Sequence, residues 1–448
     1  MNAASQWPGF NQYALAIVAL LALRVVAAAV LPLSADEAYY WLWSQHLAAG
    51  YFDHPPAVAF LIRIGTSLFG KTAFGVRFVP LLLSVPATWC VWRAAEALGG
   101  GKDAGAAAAL FFNLMLMTAV ELMAATPDAP LMAASALFFW SLAKLQGSGD
   151  GRWWLAAGAA GGLALLSKYT AFFLGAGALS WILFTAEGRR WLWSPWPYLG
   201  ALIALVVFAP NILWNARHGW ETFVFQFARV GTGHFTWRYL AEFLGAQLLL
   251  ASPLILYLSL RGAARSALLL ALALPSVAFF AVHALHDRVQ GNWPCFLYPM
   301  LAVAAVLAPP SRLRRFAAPF AVLLLLAVYI QVLFDVAPLG RRDPGSRLLA
   351  FGMPQVVRTV EASRPAAILT TDYETTAWFA FYGTVPVFQL NEPERGLGGR
   401  PPAGPKIYVA EEPRDRHWLI PGGVALPAVP RLRGGQPVGI YARYAVSP

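Results

Sequence analysis

Charge is what this chain has least of. Only 12% of its 448 residues are Asp, Glu, Lys or Arg, against 58% hydrophobic, and soluble domains carry about twice that charged share. The shortage excludes ordinary soluble domains and leaves a polytopic membrane protein. Cysteine is also scarce. Cys90 and Cys295 are far apart and lie in or beside apolar segments, so they read as core thiols and not as a disulfide. Acidic residues are outnumbered 22 to 33, which gives a net charge of +11. The excess sits mostly in short loops between apolar segments, where cytoplasmic retention accounts for it, and nucleic acid is not expected as a partner. No internal repeat or low-complexity tract is evident. The first apolar run, 12–33, lacks the basic start and small-residue cleavage site of a removable signal peptide, and reads as a retained span.

The basic loops give the topology. Lys102, Arg152, Arg189 with Arg190, Arg261 with Arg265, and Arg312 with Arg314 and Arg315 recur at alternate connections, which places those loops inside. The spans expected between them are 12–33, 76–98, 104–122, 129–146, 153–167, 169–186, 197–214, 240–260, 266–283, 294–309 and 316–335. About eleven transmembrane helices with the N-terminus inside make residues 1–335 one membrane domain. The apolar stretch from Arg152 to Arg190 is about twice a single span with basic residues at both ends, so it goes out and returns, with its outer tip at Ser167–Thr170. Residues 336–448 then lie outside. Proline, glycine and charge become frequent there, and the runs "AAILTTDY", "VPVFQL", "KIYVA" and "VGIYARYAV" predict a small α/β domain.

The same topology puts residues 34–75 in the first outer loop. "DEAYYWLWSQHL" and "PPAVAFLIRIGTSLFG" predict two helices in the interface plane, their Tyr and Trp side chains at headgroup depth among membrane lipids. Three acidic sites fall on this face: Asp36 with Glu37, Asp53 in "FDHPP", and Asp128 in "ATPDAP". Helix capping explains part of this. "SADE" is a capping box with Ser34 at the cap and Glu37 at the third position, while "TPD" places Thr126 at a cap, Pro127 first and Asp128 second. Carboxylates repeated among aromatics are nevertheless costly without cations, and cationic or polar groups share the face: His54, Lys168, Arg217, His218, Asp287, Arg288 and Asn292, with Tyr40 and Tyr169 beside them. Such a mixture suits a lipid phosphate, with a carboxylate left to accept a proton from an attacking hydroxyl or amine. Asp36, Glu37 and Asp128 are the candidate catalytic residues, and the others are candidate substrate contacts. Asp53 and Asp128 are also hard oxygen ligands for magnesium or manganese. The alternative is that Lys168, Arg217 and Arg288 supply the positive charge alone.

In chain order, "DEAYYW", "FDHPP", "TPDAPL", "LLSKYT", "NARHGW" and "HDRVQGNWP" resemble bacterial members of the GT-C type polyprenyl-phosphate-sugar glycosyltransferases, over roughly residues 30–300. That family includes protein O-mannosyltransferases and lipid A aminoarabinose transferases. The resemblance implies a first outer loop with a catalytic Asp, matched by Asp36, and an acidic residue in the next outer loop, matched by Asp128. It further implies a polyprenyl-phosphate-sugar donor, an acceptor among envelope lipids, glycans or proteins, and a multi-pass inner-membrane enzyme with its active site and C-terminal domain on the periplasmic side. Asp53 and His54 stand where the aminoarabinose transferases have Glu and Lys, so aminoarabinose is not fixed as the sugar. The C-terminal domain carries none of these motifs and is assigned no catalytic role. A lipid or sugar transporter or flippase is the rival reading, but its ion sites belong on broken helices near the midplane of repeated halves. A noncatalytic scaffold would leave the charged outer loops unexplained.

Overall fold

The computed structural model describes residues 10–227, 233–412, 414–420 and 422–446. The described residues are mostly helical, with one five-stranded sheet near the C-terminal end. All eleven expected segments are helical over most of their length. Among the described residues, four helices are long and apolar enough to cross a membrane: Asn11–Val30, Ala73–Ala97, Trp196–Arg217 and Arg314–Phe334. Two bent pairs raise this to six, Tyr169–Phe184 with Ala186–Trp193 at 95° and Trp237–Leu250 with Pro253–Ala263 at 98°.

The bends have local causes. Ser252 takes a positive φ of 65° directly before Pro253, and a proline cannot donate the hydrogen bond that would continue the preceding helix. The expected 104–122 segment divides at Met115, which is extended (φ −65°, ψ 130°) between Gly101–Leu114 and Leu116–Glu121. Trp153–Leu165, Ala267–His283 and Cys295–Leu307 are apolar but shorter.

The chain forms two compact units. One holds Asp53–Val58 and Phe78–Leu326 with the chain up to Val26; the other holds Ala27–Phe52, Ala59–Arg77 and the chain from Ala327 onward. In the first unit, packing is close enough to demand glycine. A Cβ on Gly158 would lie 2.0 Å from the Gly200 carbonyl oxygen, so Trp153–Leu165 and Trp196–Arg217 touch through backbone.

In the second unit, Ala35–Gln45 and Ala57–Phe69 are the two helices expected in the first loop. Ala57–Phe69 belongs to this unit from Ala59 on, and exposes Phe60, Ile64 and Leu68 at four-residue intervals, which makes one apolar stripe. The sheet has strands β1 (Ala367–Thr370), β2 (Val387–Gln389), β3 (Lys406–Glu411), β4 (Val424–Arg433) and β5 (Gln436–Val446) in the order β2-β1-β3-β5-β4. β1 is parallel to both neighbours, and the Tyr373–Tyr382 helix makes the crossover to β2, since parallel strands cannot be joined by a tight turn. Every residue of β1 is buried, as a central strand requires. β4 carries Pro427 and Pro430, lies at the edge and has a register shift between Leu426 and Val429. An edge strand tolerates prolines because one row of its backbone groups needs no partner.

Candidate functional site

In the first unit the site is built around one carboxylate. Asp128 begins the Asp128–Ser148 helix and is 2% exposed. The Thr126 hydroxyl accepts from its backbone N–H at 3.3 Å. Pro127, not Thr126, occupies the cap position, a shift of one residue within the ordinary looseness of helix ends. The partial positive charge of a helix N-terminus favours a carboxylate there. Burial demands more, and three residues distant in sequence provide it. Lys168 Nζ donates to Oδ1 at 2.7 Å and Oδ2 at 2.8 Å, Asn292 Nδ2 donates to Oδ2 at 2.8 Å, and Cys295 Sγ lies 3.0 Å from Oδ1.

Each partner is delivered by a break in helix. Lys168 is extended (φ −158°, ψ 141°) between Trp153–Leu165 and the turn Tyr169–Ala171, which turns its side chain out of the helical path. Asn292 and Cys295 sit on one turn, the Cys295 N–H donating to the Asn292 carbonyl at 3.0 Å. Burial works against the Lys168 charge, but Asp128 more than offsets it and holds the lysine pKa above its ordinary value. The next residue, Tyr169, donates to Asn211 Oδ1 at 3.0 Å and accepts from Asn215 Nδ2 at 3.3 Å.

The structure thus brings Asp128, Lys168 and Asn292 together. Cys295 was missed because an apolar segment's thiol carries no motif. Asp53 is 8% exposed, and its carbonyl accepts from the Gln226 side chain at 2.7 Å; His54 beside it is half-buried. Arg217 and His218 are exposed at the end of Trp196–Arg217, the His218 ring stacked on Trp214 with centroids 4.0 Å apart. Arg288 is exposed and pairs with Glu242 at 3.4 Å, and Asp287 is half-buried.

In the second unit the two adjacent carboxylates separate. Glu37 is 1% exposed and completes the capping box: the Ser34 N–H donates to Oε2 at 2.8 Å, and Ser34 Oγ accepts from the Glu37 N–H at 3.2 Å. Arg77, also 1% exposed, donates to both Glu37 oxygens at 2.6 Å and to the carbonyls of Ala28, Leu31 and Pro32. Glu37 therefore holds the Ala35–Gln45 helix in place. Arg77→Ala would leave that carboxylate buried without its cation, and a loss of about 3–5 kcal/mol is expected, measured as a lowered melting temperature in detergent. Sequence reading missed Arg77, which lies forty residues from Glu37 inside a largely apolar helix. Asp36, by contrast, is exposed, and Tyr373 donates to its Oδ1 at 3.0 Å. Tyr40 is buried on the same helix, its ring 4.8 Å from Trp43.

The donor set does not fit a divalent cation at Asp128. Both its oxygens already accept from nitrogen or sulfur donors, and a hard cation needs several oxygen ligands. Among the described residues, no group of three or more His, Cys, Asp or Glu could hold a metal ion. Lys168, one of the cations that the sequence reading set against magnesium or manganese, is the one paired with Asp128.

Comparison with known proteins agrees with this architecture. The family described as dolichyl-phosphate-mannose-protein mannosyltransferase matches residues 53–214. Lipid A galacturonosyltransferase RgtD of Rhizobium johnstonii is 27% identical over 364 residues, covering 76% of this chain and 73% of that protein. The lipopolysaccharide core galacturonosyltransferase RgtA of the same organism is 32% identical over 208 residues, or 45% of this chain, and the match spans 41% of RgtA's length. The crystal structure of ArnT from Cupriavidus metallidurans bound to undecaprenyl phosphate superposes with a TM-score of 0.66 over 98% of each chain, at 16% identity. At that identity the likeness shows the fold.

Proposed function

We propose that the chain is a glycosyltransferase of the GT-C type and that it moves a sugar from a polyprenyl-phosphate carrier onto lipid A or the lipopolysaccharide core, at the periplasmic face of the inner membrane. The proposal includes about eleven spans, a membrane domain over residues 1–335 and an outer domain over 336–448. One observation carries the assignment of roles: the structure divides the Asp36–Glu37 pair into a buried carboxylate committed to Arg77 and an exposed one at the start of the same helix. Asp36 is the proton acceptor.

In the reaction, the bond from the sugar's anomeric carbon to the carrier phosphate breaks. A bond from that carbon to the acceptor oxygen forms, the acceptor's proton passes to Asp36, and polyprenyl phosphate leaves. Negative charge grows on the phosphate, and a preorganised cation stabilises it. Lys168 takes this part. Its ammonium has three donors, two of which are directed at Asp128, so the carboxylate holds the cation in place while the phosphate takes another donor. His54, Tyr169, Arg217, His218, Asp287, Arg288 and Asn292 remain proposed substrate contacts, with Asp53 among them. Asp128 acts through Lys168.

The sugar we propose is a hexuronic acid. Both relatives act on galacturonosyl transfer by name, and Asp53–His54 departs from the Glu–Lys of the aminoarabinose transferases. Purified protein given polyprenyl-phosphate-linked galacturonic acid, a neutral hexose or aminoarabinose in parallel should transfer the first most efficiently. Preference for either of the others would overturn the choice of sugar. The same assay with excess chelator should run at an unchanged rate, because Lys168 and not a metal offsets the phosphate. Loss of transfer, restored by magnesium or manganese, would contradict that arrangement.

A further inference from the structure

We propose that the C-terminal sheet domain is part of the transfer machinery and that Tyr373 is a positioning residue for Asp36. The inference rests on the reading of Asp36 as proton acceptor. Three independent sets of contacts within the second unit carry it.

The first is the hydrogen bond itself, donated by the Tyr373 hydroxyl to Asp36 Oδ1 at 3.0 Å across 337 residues of sequence. An exposed carboxylate turns freely about its side-chain bonds. A donor fixed on one oxygen sets the plane of the group.

The second is that Tyr373 is itself held in place. It opens the Tyr373–Tyr382 helix, whose cap Asp372 accepts from the Thr375 N–H at 2.8 Å. Burial pushes the Asp372 carboxyl above its usual range, against its cap hydrogen bonds and Arg414. The Tyr373 ring lies 5.0 Å from that of Tyr39, and the Arg395 guanidinium sits 4.9 Å from the Tyr373 ring centre. Glu392 fixes Arg395 at 2.9 Å. This is a rigid donor, not a tyrosine that happens to be near.

The third set shows that the domain anchors the helix that presents Asp36. The Leu33 N–H donates to the Tyr382 hydroxyl at 2.9 Å, the Ala350 N–H donates to the Leu33 carbonyl at 2.9 Å, and Ser34 forms an antiparallel bridge with Leu349. Further along, Trp41 meets Phe381 edge to face at 5.1 Å. Both the helix start and the carboxylate are therefore placed by residues beyond 340. A solvent-exposed hydrogen bond contributes little to folding stability, so a purely structural role gives Tyr373 no reason to aim its hydroxyl at Asp36.

The test uses full-length protein and the polyprenyl-phosphate-linked hexuronosyl donor. Tyr373→Phe keeps the ring and removes the hydroxyl. Its kcat should fall about tenfold, within the roughly hundredfold that a misplaced catalytic group costs, with donor KM and melting temperature unchanged. In an Asp36→Glu background, where the carboxylate is moved off the hydroxyl, the same change should cost less than about twofold, because coupled residues are not additive. A wild-type kcat in Tyr373→Phe, or an equal loss in both backgrounds, would overturn the positioning role while leaving Asp36 as acceptor. Normal turnover in Asp36→Asn would remove the acceptor reading, and the positioning role with it.

Discussion

Asp36→Asn should lower kcat by about two to four orders of magnitude while the protein still inserts, folds and binds its donor, because a positioned proton acceptor is worth that much in rate. The size of the effect follows from chemistry: Asn matches Asp in shape but cannot take up the acceptor's proton. Its selectivity follows from structure. Asp36 is exposed and lies outside the Glu37–Arg77 network that holds the helix, so that network keeps its partners. Glu37→Gln, on the adjacent residue, should do the opposite and reduce stability more than turnover. Parallel measurements of kcat, donor affinity and melting temperature check both. If Asp36→Asn turned over at the wild-type rate, the proton would be going elsewhere.

Lys168→Ala should be the most damaging single change in the first unit. It strands Asp128, 2% exposed, with no cation, and breaking a buried pair from one side costs about 3–5 kcal/mol. Loss of donor binding would then be hard to distinguish from loss of the fold. Replacing both partners separates the two, because an apolar pair of similar volume is often neutral for stability. Asp128→Leu with Lys168→Met should recover most of the melting temperature and none of the donor binding. If the double variant bound donor at wild-type affinity, Lys168 would have no part in holding the phosphate.

The two networks also mark how far the sequence could be read. The helices of the first loop, the Ser34–Glu37 capping box and the four aromatic or β-branched runs of the C-terminal domain were legible because each is a local signal, within reach of one turn or one strand. β4 was not. Pro427 and Pro430 read as turn residues, and they are tolerated only because long-range pairing puts the strand at an edge. Span lengths were obscured similarly: hydropathy does not show the break at Met115 or the bend at Ser252, which depend on backbone angles at single residues.

Asp36 in the second unit, and Asp128, Lys168 and Asn292 in the first, stood out as polar residues at the ends of apolar runs. Their partners did not. Arg77 and Cys295 lie inside apolar helices or turns, and Tyr373 lies in a domain with no motif, so only the folded chain brings them to the carboxylates. The choice between a metal and cationic side chains at Asp128 was open in the sequence for the same reason, because only the fold pairs Lys168 with that carboxylate.

The central claim is that a sugar–phosphate bond is exchanged for a sugar–acceptor bond. It is tested most directly by reconstituting the purified protein in vesicles with polyprenyl-phosphate-linked galacturonic acid and lipid A, then following both lipids by mass spectrometry. The account predicts that lipid A gains one hexuronosyl residue for each polyprenyl phosphate released, and that Asp36→Asn stops both together. Movement of intact donor across the bilayer with no new bond to lipid A or core acceptors would contradict it and make the protein a carrier.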